Sequence, residues 1–154
     1  PALLVEAISH SVEETEQLGA ELARELRPGD VVTLIGEIGA GKTTFVRGLA
    51  QGLGVPAGSV ASPSFVLVRQ YTSGRMPLYH ADLFRLENLP QAANVGLEEC
   101  YEAGGVTLIE WANKVPDVLP EQFLEIRFEA MDPESRRLTL QPHGPVNQGR
   151  KFFG

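Results

Sequence analysis

A chain of 154 residues, 43% hydrophobic and 21% charged, has the size and make-up of one soluble globular domain, and it can bury about 70% of its unfolded surface without staples. Its formal net charge of −7 argues against a broad nucleic-acid footprint, which is ordinarily basic, though not against a local basic patch. The single cysteine, Cys100, excludes an intrachain disulfide and reads as a small apolar filler, and no apolar run approaches the roughly 20 residues of a membrane-spanning helix. The first residues lack a basic segment followed by an apolar run, so the sequence reads as a cytoplasmic protein and not a secreted one.

"ALLVEAIS" reads as a first strand. Ser11 then has the character of an N-cap, with Glu14 three residues on completing a capping box, and Leu18, Leu22, Ala23 and Leu26 form a helical stripe that Pro28 and Gly29 end. Val31 to Ile35 make a short, uninterrupted strand of the type buried on both faces of a parallel sheet. A glycine-rich loop follows, then a helix from about Lys42 to Leu53, stopped by Gly54 and Pro56. "SFVLVRQY" and "MPLYHADL", separated by "TSGR", predict a hairpin. Leu89 to Glu102 holds a helix interrupted by Gly96, "GVTLIEW" is a second buried strand, and "FLEIRFEAM" and "RRLTLQP" alternate as a terminal antiparallel pair. The tail "HGPVNQGRKFFG" shows no period. With no repeat and no dividing linker, residues 1–154 read as one α/β domain with a mixed, partly antiparallel sheet, the tail after about 141 being unassigned.

Gly36-Glu37-Ile38-Gly39-Ala40-Gly41-Lys42-Thr43, followed by Thr44, fits the phosphate-loop pattern G-x-x-x-x-G-K-[ST]. Glycines let backbone N–H groups converge on an anion, and the N-terminus of the following helix aims its own N–H groups at the same point. Lys42 can then reach the β and γ phosphates, and the Thr43 hydroxyl can ligate Mg²⁺. A random match in 150 residues has odds of roughly 1%, and the required buried strand before and helix after are both predicted.

A nucleotide site of this kind also needs a carboxylate at a strand end near the loop. Glu110 follows "VTLI" and Asp82 follows "PLYHA", so both qualify; Glu110 is favoured for the metal, and Asp82 for metal or water positioning. Trp111 and His80 read as core residues on general grounds. The segment Ser59 to Phe65, "SVASPSF", is either a γ-phosphate-sensing switch or a plain surface turn.

Three classes of phosphate-loop protein compete. A GTPase would carry D-x-x-G, which does not occur, and an N-K-x-D base reader, from which "NKVPD" (Asn113 to Asp117) departs by one residue. A small-molecule kinase would carry an arginine-rich lid, whereas Arg69, Arg75 and Arg85 are scattered. An ATPase that drives a partner remains.

"GEIGAGKTT", "SPSF", "YHADLFR" and "LIEW", in that order within about 150 residues, resemble the TsaE (YjeE) family, the ATPase component of bacterial tRNA threonylcarbamoyladenosine (t6A) biosynthesis. The resemblance runs from about Ser9 to Leu140 and implies a three-layer P-loop NTPase fold. It further implies that the Gly36–Thr43 loop binds ATP, that Thr43 and Glu110 hold Mg²⁺, and that Asp82 supports the metal or the attacking water. Trp111 would lie near the site, Ser62 to Phe65 would form a switch-like loop, Ser9 to Thr15 (with Ser11 and Thr15) would border the adenine, and Arg136 or Arg137 would approach the nucleotide. The implied partners are TsaD and TsaB, whose complex ATP turnover would reset; direct contact with tRNA would be minor. The chain departs from the family pattern at Ser64, usually Thr, at Glu37, commonly Asp, and at Phe84, commonly Tyr. None of these removes an implied ligand.

Overall fold

Strand β2 (Val31–Ile35) is apolar except at Thr33 and buried over its first four residues, and it lies in the middle of the sheet. The computed structural model describes residues 4–37, 40–56, 68–83, 96–112, 119–147 and 149–153. Among these, the other strands are β1 (Val5–Ser9), β3 (Val68–Tyr71), β4 (Leu78–Asp82), β5 (Val106–Glu110), β6 (Phe123–Ala130) and β7 (Arg136–His143), in the order β1-β7-β6-β2-β5-β4-β3. The four central strands β6, β2, β5 and β4 run parallel, and antiparallel pairs close both flanks: β7 on β6 and β1 on β7 at one side, β3 on β4 at the other. The sheet is therefore mixed, and both predicted hairpin-like pairings are present. Positions 64–67 of the first run lie outside the described residues.

Helices cover both faces. Val32, Leu34, Leu108, Leu124 and Ile126 point to one side and share a buried cluster with Leu22 of α1 (Val12–Glu25) and with Phe45 and Leu49 of α2 (Lys42–Gly52). Val31, Ala81 and Ile109 point to the other side and pack with Leu97 of the short helix α3 (Leu97–Glu102). Alternation of side chains along β2 thus feeds two cores from one strand. Among the described residues no helix is long and apolar enough to cross a membrane.

The helix boundaries carry one departure from the sequence reading. Ser11 caps α1 as predicted, its Oγ accepting from Glu14 N at 3.1 Å, but the Glu14 carboxylate accepts from the backbone N–H of His10 instead of closing the box on Ser11. That bond holds the Glu14 carboxyl below its usual range. Gly96, read as the point that interrupts a helix, is the N-cap at which α3 begins, with φ 77°; a residue in the left-handed region does not continue a helix. The stretch 89–95 of that predicted helix is outside the described residues.

The tail, left unassigned by its lack of a period, is built into the core. Arg150 grips Asp30 with two N–H groups, Nη1 to Oδ1 at 2.9 Å and Nη2 to Oδ2 at 3.0 Å, and Nη2 also donates to the Glu25 carbonyl at 2.7 Å. Phe152 is buried in the α1/α2 cluster, and Phe153 N donates to Glu25 Oε1 at 3.0 Å. The other oxygen, Glu25 Oε2, is buried without a hydrogen bond among the described residues, and burial pushes the Glu25 carboxyl up. A carboxyl raised in the folded state favours folding while protonated, and that contribution is lost as pH rises from about the ordinary value of 4.5 through the raised one. Glu25→Gln removes the titration. Its stability relative to the parent is expected to be higher at pH 7 than at pH 4, measured by urea unfolding at both; a difference that stays flat would contradict the account.

Helices α1 and α2 cross with their backbones in contact. A Cβ on Gly48 would stand 1.8 Å from the Glu16 carbonyl oxygen, and one on Gly19 2.2 Å from that of Phe45. At an exposed helical site Gly→Ala gains roughly 1 kcal/mol. At Gly48 the added methyl meets backbone, which cannot swing aside, so Gly48→Ala is expected to cost about 3 kcal/mol, or about 6–12 °C in melting temperature for a domain of this size. An unchanged melting temperature would show that the two helices are not in this contact.

Candidate functional site

The loop after β2 leads into α2, and its last glycine decides how the helix starts. Gly41 is the N-cap of α2 at φ 99°, in the left-handed region, and offers no capping side chain, in contrast to Ser11 on α1. A helix that begins without a side-chain cap keeps its first N–H groups available to an anion.

Lys42, the first residue of α2, turns back across the loop. It is buried at 6% exposure, and its Nζ donates to the Gly36 carbonyl at 2.6 Å. The same ammonium lies 3.9 Å from Glu110 Oε1 and 4.5 Å from the ring centre of Trp111. Two acceptor groups and an aromatic face therefore compensate the loss of water around the charge. Trp111 holds its ring there from a backbone φ of 63°. For a bulky side chain such a conformation costs on the order of 1–3 kcal/mol and is found where the surroundings impose it.

The sheet register explains how the acids meet the loop. Leu34 of β2 is the partner of Glu110 on β5, and Glu110 is the partner of Asp82 on β4. The two carboxylates thus stand side by side at the carboxyl ends of adjacent parallel strands, Glu110 one strand and Asp82 two strands from the strand that leads into the loop. Glu110 is buried at 6% exposure, and Asp82 is half-buried. Glu110 Oε2 lies 2.6 Å from Nε2 of His80, a fully buried residue. The sequence reading treated His80 as a core histidine and missed this contact. The available signal was its i, i+2 spacing to Asp82, which on a strand puts both on one face.

Residues distant in sequence complete the rim. A Cβ on Gly41 would stand 3.8 Å from both Thr15 Cγ2 and Arg136 Cγ, so α1 and β7 each bring a side chain against the loop. Thr15 is buried, its hydroxyl is 2.6 Å from that of Ser9, and the Ser11 carbonyl lies within hydrogen-bond distance of both, at 2.8 Å from Ser9 and 3.2 Å from Thr15. Arg136 is steadied by the β6–β7 turn, its Nη1 donating to the carbonyls of Asp132, Pro133 and Ser135 at 3.0, 3.3 and 3.0 Å. The neighbouring Arg137 turns instead to Glu6 and Glu129, each at 3.6 Å, which separates the two arginines that sequence alone left as alternatives. Gly36, Glu37, Ala40, Gly41, Lys42, Thr43 and Thr44 of the loop are among the described residues. Ile38, Gly39, the Ser59–Phe65 segment, Phe84, Arg85 and Asn113–Asp117 lie outside the described residues. The assembled chemistry is a buried cation, two adjacent carboxylates, hydroxyls at a helix start and a second cation on the rim.

Comparison with known proteins gives a consistent picture. A sequence profile of the family described as "Threonylcarbamoyl adenosine biosynthesis protein TsaE" matches residues 9–138. The chain is 39% identical over 132 residues to the tRNA threonylcarbamoyladenosine biosynthesis protein TsaE of Bacillus subtilis, covering 86% of this chain and 82% of that one. It is also 39% identical to the protein of that name from Treponema pallidum, covering 86% and 97% of the two chains. Among solved structures, the crystal structure of Bacillus subtilis YdiB superposes with a TM-score of 0.79 at 34% identity, covering 95% of this chain and 90% of that one.

Proposed function

The chain belongs to the TsaE family of tRNA threonylcarbamoyladenosine biosynthesis proteins, and from that premise we propose that it binds Mg²⁺-ATP at the Gly36–Thr44 loop and hydrolyses it to ADP and phosphate. The observation that carries the reading is the convergence of Lys42, Glu110 and Trp111 at the start of α2, with Asp82 beside Glu110. An ammonium, free helix N–H groups and carboxylates around one loop are what a polyphosphate carrying a divalent cation requires.

Each residue then has a role. The N–H groups of the loop and of the first turn of α2 receive phosphate oxygens, and Lys42 exchanges the Gly36 carbonyl for the β and γ phosphates. The donors available to Mg²⁺ are the Thr43 hydroxyl and the carboxylate of Glu110, with Asp82 next to it. All are oxygens, which suits this hard cation, and on a nucleotide it needs only one or two protein carboxylates. When bound, Mg²⁺ supplies neutralisation of the charge that spreads over the phosphoryl oxygens. Asp82 would support the metal or orient the attacking water. Thr15 and Arg136, flanking Gly41, and Ser11 behind them border the nucleotide. Trp111 holds Lys42 in place from below.

In the pathway, we infer that ATP turnover acts on a TsaD–TsaB complex in the cytoplasm and resets it between rounds of modification. The net charge of −7 supports a protein partner over a direct grip on tRNA. In a multi-turnover t6A synthesis assay with those partners, ATP is expected to sustain repeated rounds, and a non-hydrolysable analogue to allow no more than about one. Equal turnover with both would point to an assembly factor in which binding alone matters.

The two acids are expected to separate in titrations. Glu110→Gln weakens Mg²⁺-ATP binding more than Asp82→Asn does, whereas Asp82→Asn keeps affinity and loses hydrolysis. Lys42→Ala should lose affinity by about 100-fold or more, since two hydrogen bonds to charged groups contribute about 1.5–3 kcal/mol each. Calorimetry with and without Mg²⁺, beside phosphate release, reads all three. Asp82→Asn abolishing Mg²⁺ dependence while Glu110→Gln leaves it intact would reverse the two roles.

A further inference from the structure

Among the described residues His80 has one side-chain polar contact, and it is wholly enclosed. Its Nε2 meets Glu110 Oε2 at 2.6 Å, its Nδ1 is buried without a hydrogen-bond partner among the described residues, and the residue is 0% exposed. An apolar side chain of similar volume would fill the same space without leaving a ring nitrogen unsatisfied. Packing alone therefore gives no reason for an imidazole at this place, and the bond to Glu110 does.

The register shows what that bond does to the carboxylate. His80 is the partner of Leu108, two residues before Glu110, so it stands one step further back from the strand ends than Asp82. Drawing Oε2 toward His80 holds that oxygen back within the sheet. The other oxygen, Oε1, is the one that lies 3.9 Å from Lys42 Nζ at the start of α2. Asp82 alone would not fix this orientation, because two adjacent carboxylates repel.

We propose that His80 is a positioning residue: its Nε2–H donates to Glu110 Oε2 and so presents Oε1 to the divalent cation of the bound nucleotide. This rests on the Mg²⁺-ATP reading above. Groups that hold a metal-ligating side chain in this manner change metal affinity by about 10–100-fold when removed, without touching the metal themselves.

Three substitutions test it. In His80→Gln the longer amide places an N–H donor close to the position of the imidazole Nε2, in His80→Asn the amide falls short of Glu110, and in His80→Leu no donor is left. The measurement is the Mg²⁺ concentration for half-maximal nucleotide binding, by calorimetry at fixed ATP, beside ATP affinity without Mg²⁺ and the melting temperature of the ligand-free chain. His80→Leu is expected to raise the Mg²⁺ requirement about 10–100-fold, with Mg²⁺-free affinity within about twofold of the parent. His80→Gln should recover most of the loss, and His80→Leu should add nothing in a Glu110→Gln background. A folded His80→Leu with an unchanged Mg²⁺ requirement, or an equal effect in the Glu110→Gln background, overturns the proposal while leaving the nucleotide site standing. Should His80→Leu fail to fold, the contrast of Gln with Asn decides: equal Mg²⁺ requirements overturn it. A parent chain that binds ATP without any Mg²⁺ dependence would remove both this proposal and the reading beneath it.

Discussion

A lysine ammonium and a glutamate carboxylate buried together, as Lys42 and Glu110 are, persist only when each is compensated for the water it gives up. At 3.9 Å the two do not share a tight hydrogen bond. Each instead finds a closer partner: the Gly36 carbonyl for the ammonium, His80 for the carboxylate. The arrangement keeps opposite charges near one another without neutralising them by contact. That state suits a site whose charges are to be used on a ligand, because neither partner has to be torn from a strong pair. Removing one member would strand the other, which ties the loop, β4 and β5 into a single electrostatic unit.

That unit depends on packing far from it. The position of Lys42 follows from where α2 begins, and α2 is held against α1 by backbone contact at Gly19 and Gly48. The same α1 carries Thr15 to the loop at its start and is held at its end by Arg150 and Phe152 of the tail. One helix thus links the rim of the site to the last described residues of the chain. The central parallel strands supply the other half of the geometry, since the partnership of Leu34, Glu110 and Asp82 across β2, β5 and β4 puts both acids at the carboxyl ends of the central strands, on the side of the loop.

Much of this was legible in the sequence because its determinants are local. The run Val31 to Ile35, the glycines after it and the helical pattern from Lys42 announce strand, loop and helix with no reference to the rest of the chain. Ser11 as a cap and the two hairpin-like pairings are local in the same sense. Glu110 and Asp82 could be nominated because a phosphate loop calls for an acid at a strand end. What escaped was long-range. The contact of His80 with Glu110 joins residues 30 apart, and a histidine within an apolar strand looks like core until the register is known. The choice of Arg136 over Arg137 turns on which face of β7 meets the loop. The tail has no period because its order comes from single anchors, Arg150 on Asp30 and Phe152 in the core, and not from a repeating face. Gly96 was a local signal as well: a glycine that breaks a helical pattern sits at φ 77°, where the described helix begins.

The central claim is spatial: one nucleotide, carrying its cation, sits on the loop between α2 and the carboxyl ends of β4 and β5. Backbone amide shifts of the isotopically labelled chain, followed by NMR as Mg²⁺-ATP is added, locate the ligand directly. The account predicts the largest changes at Gly36, at Gly41 to Thr44, at Glu110 and Trp111, and at Asp82, with smaller ones at Thr15 and Arg136. Changes confined to the edge strand β3 and helix α3, with Gly41 to Thr44 unmoved at saturating nucleotide, would contradict it.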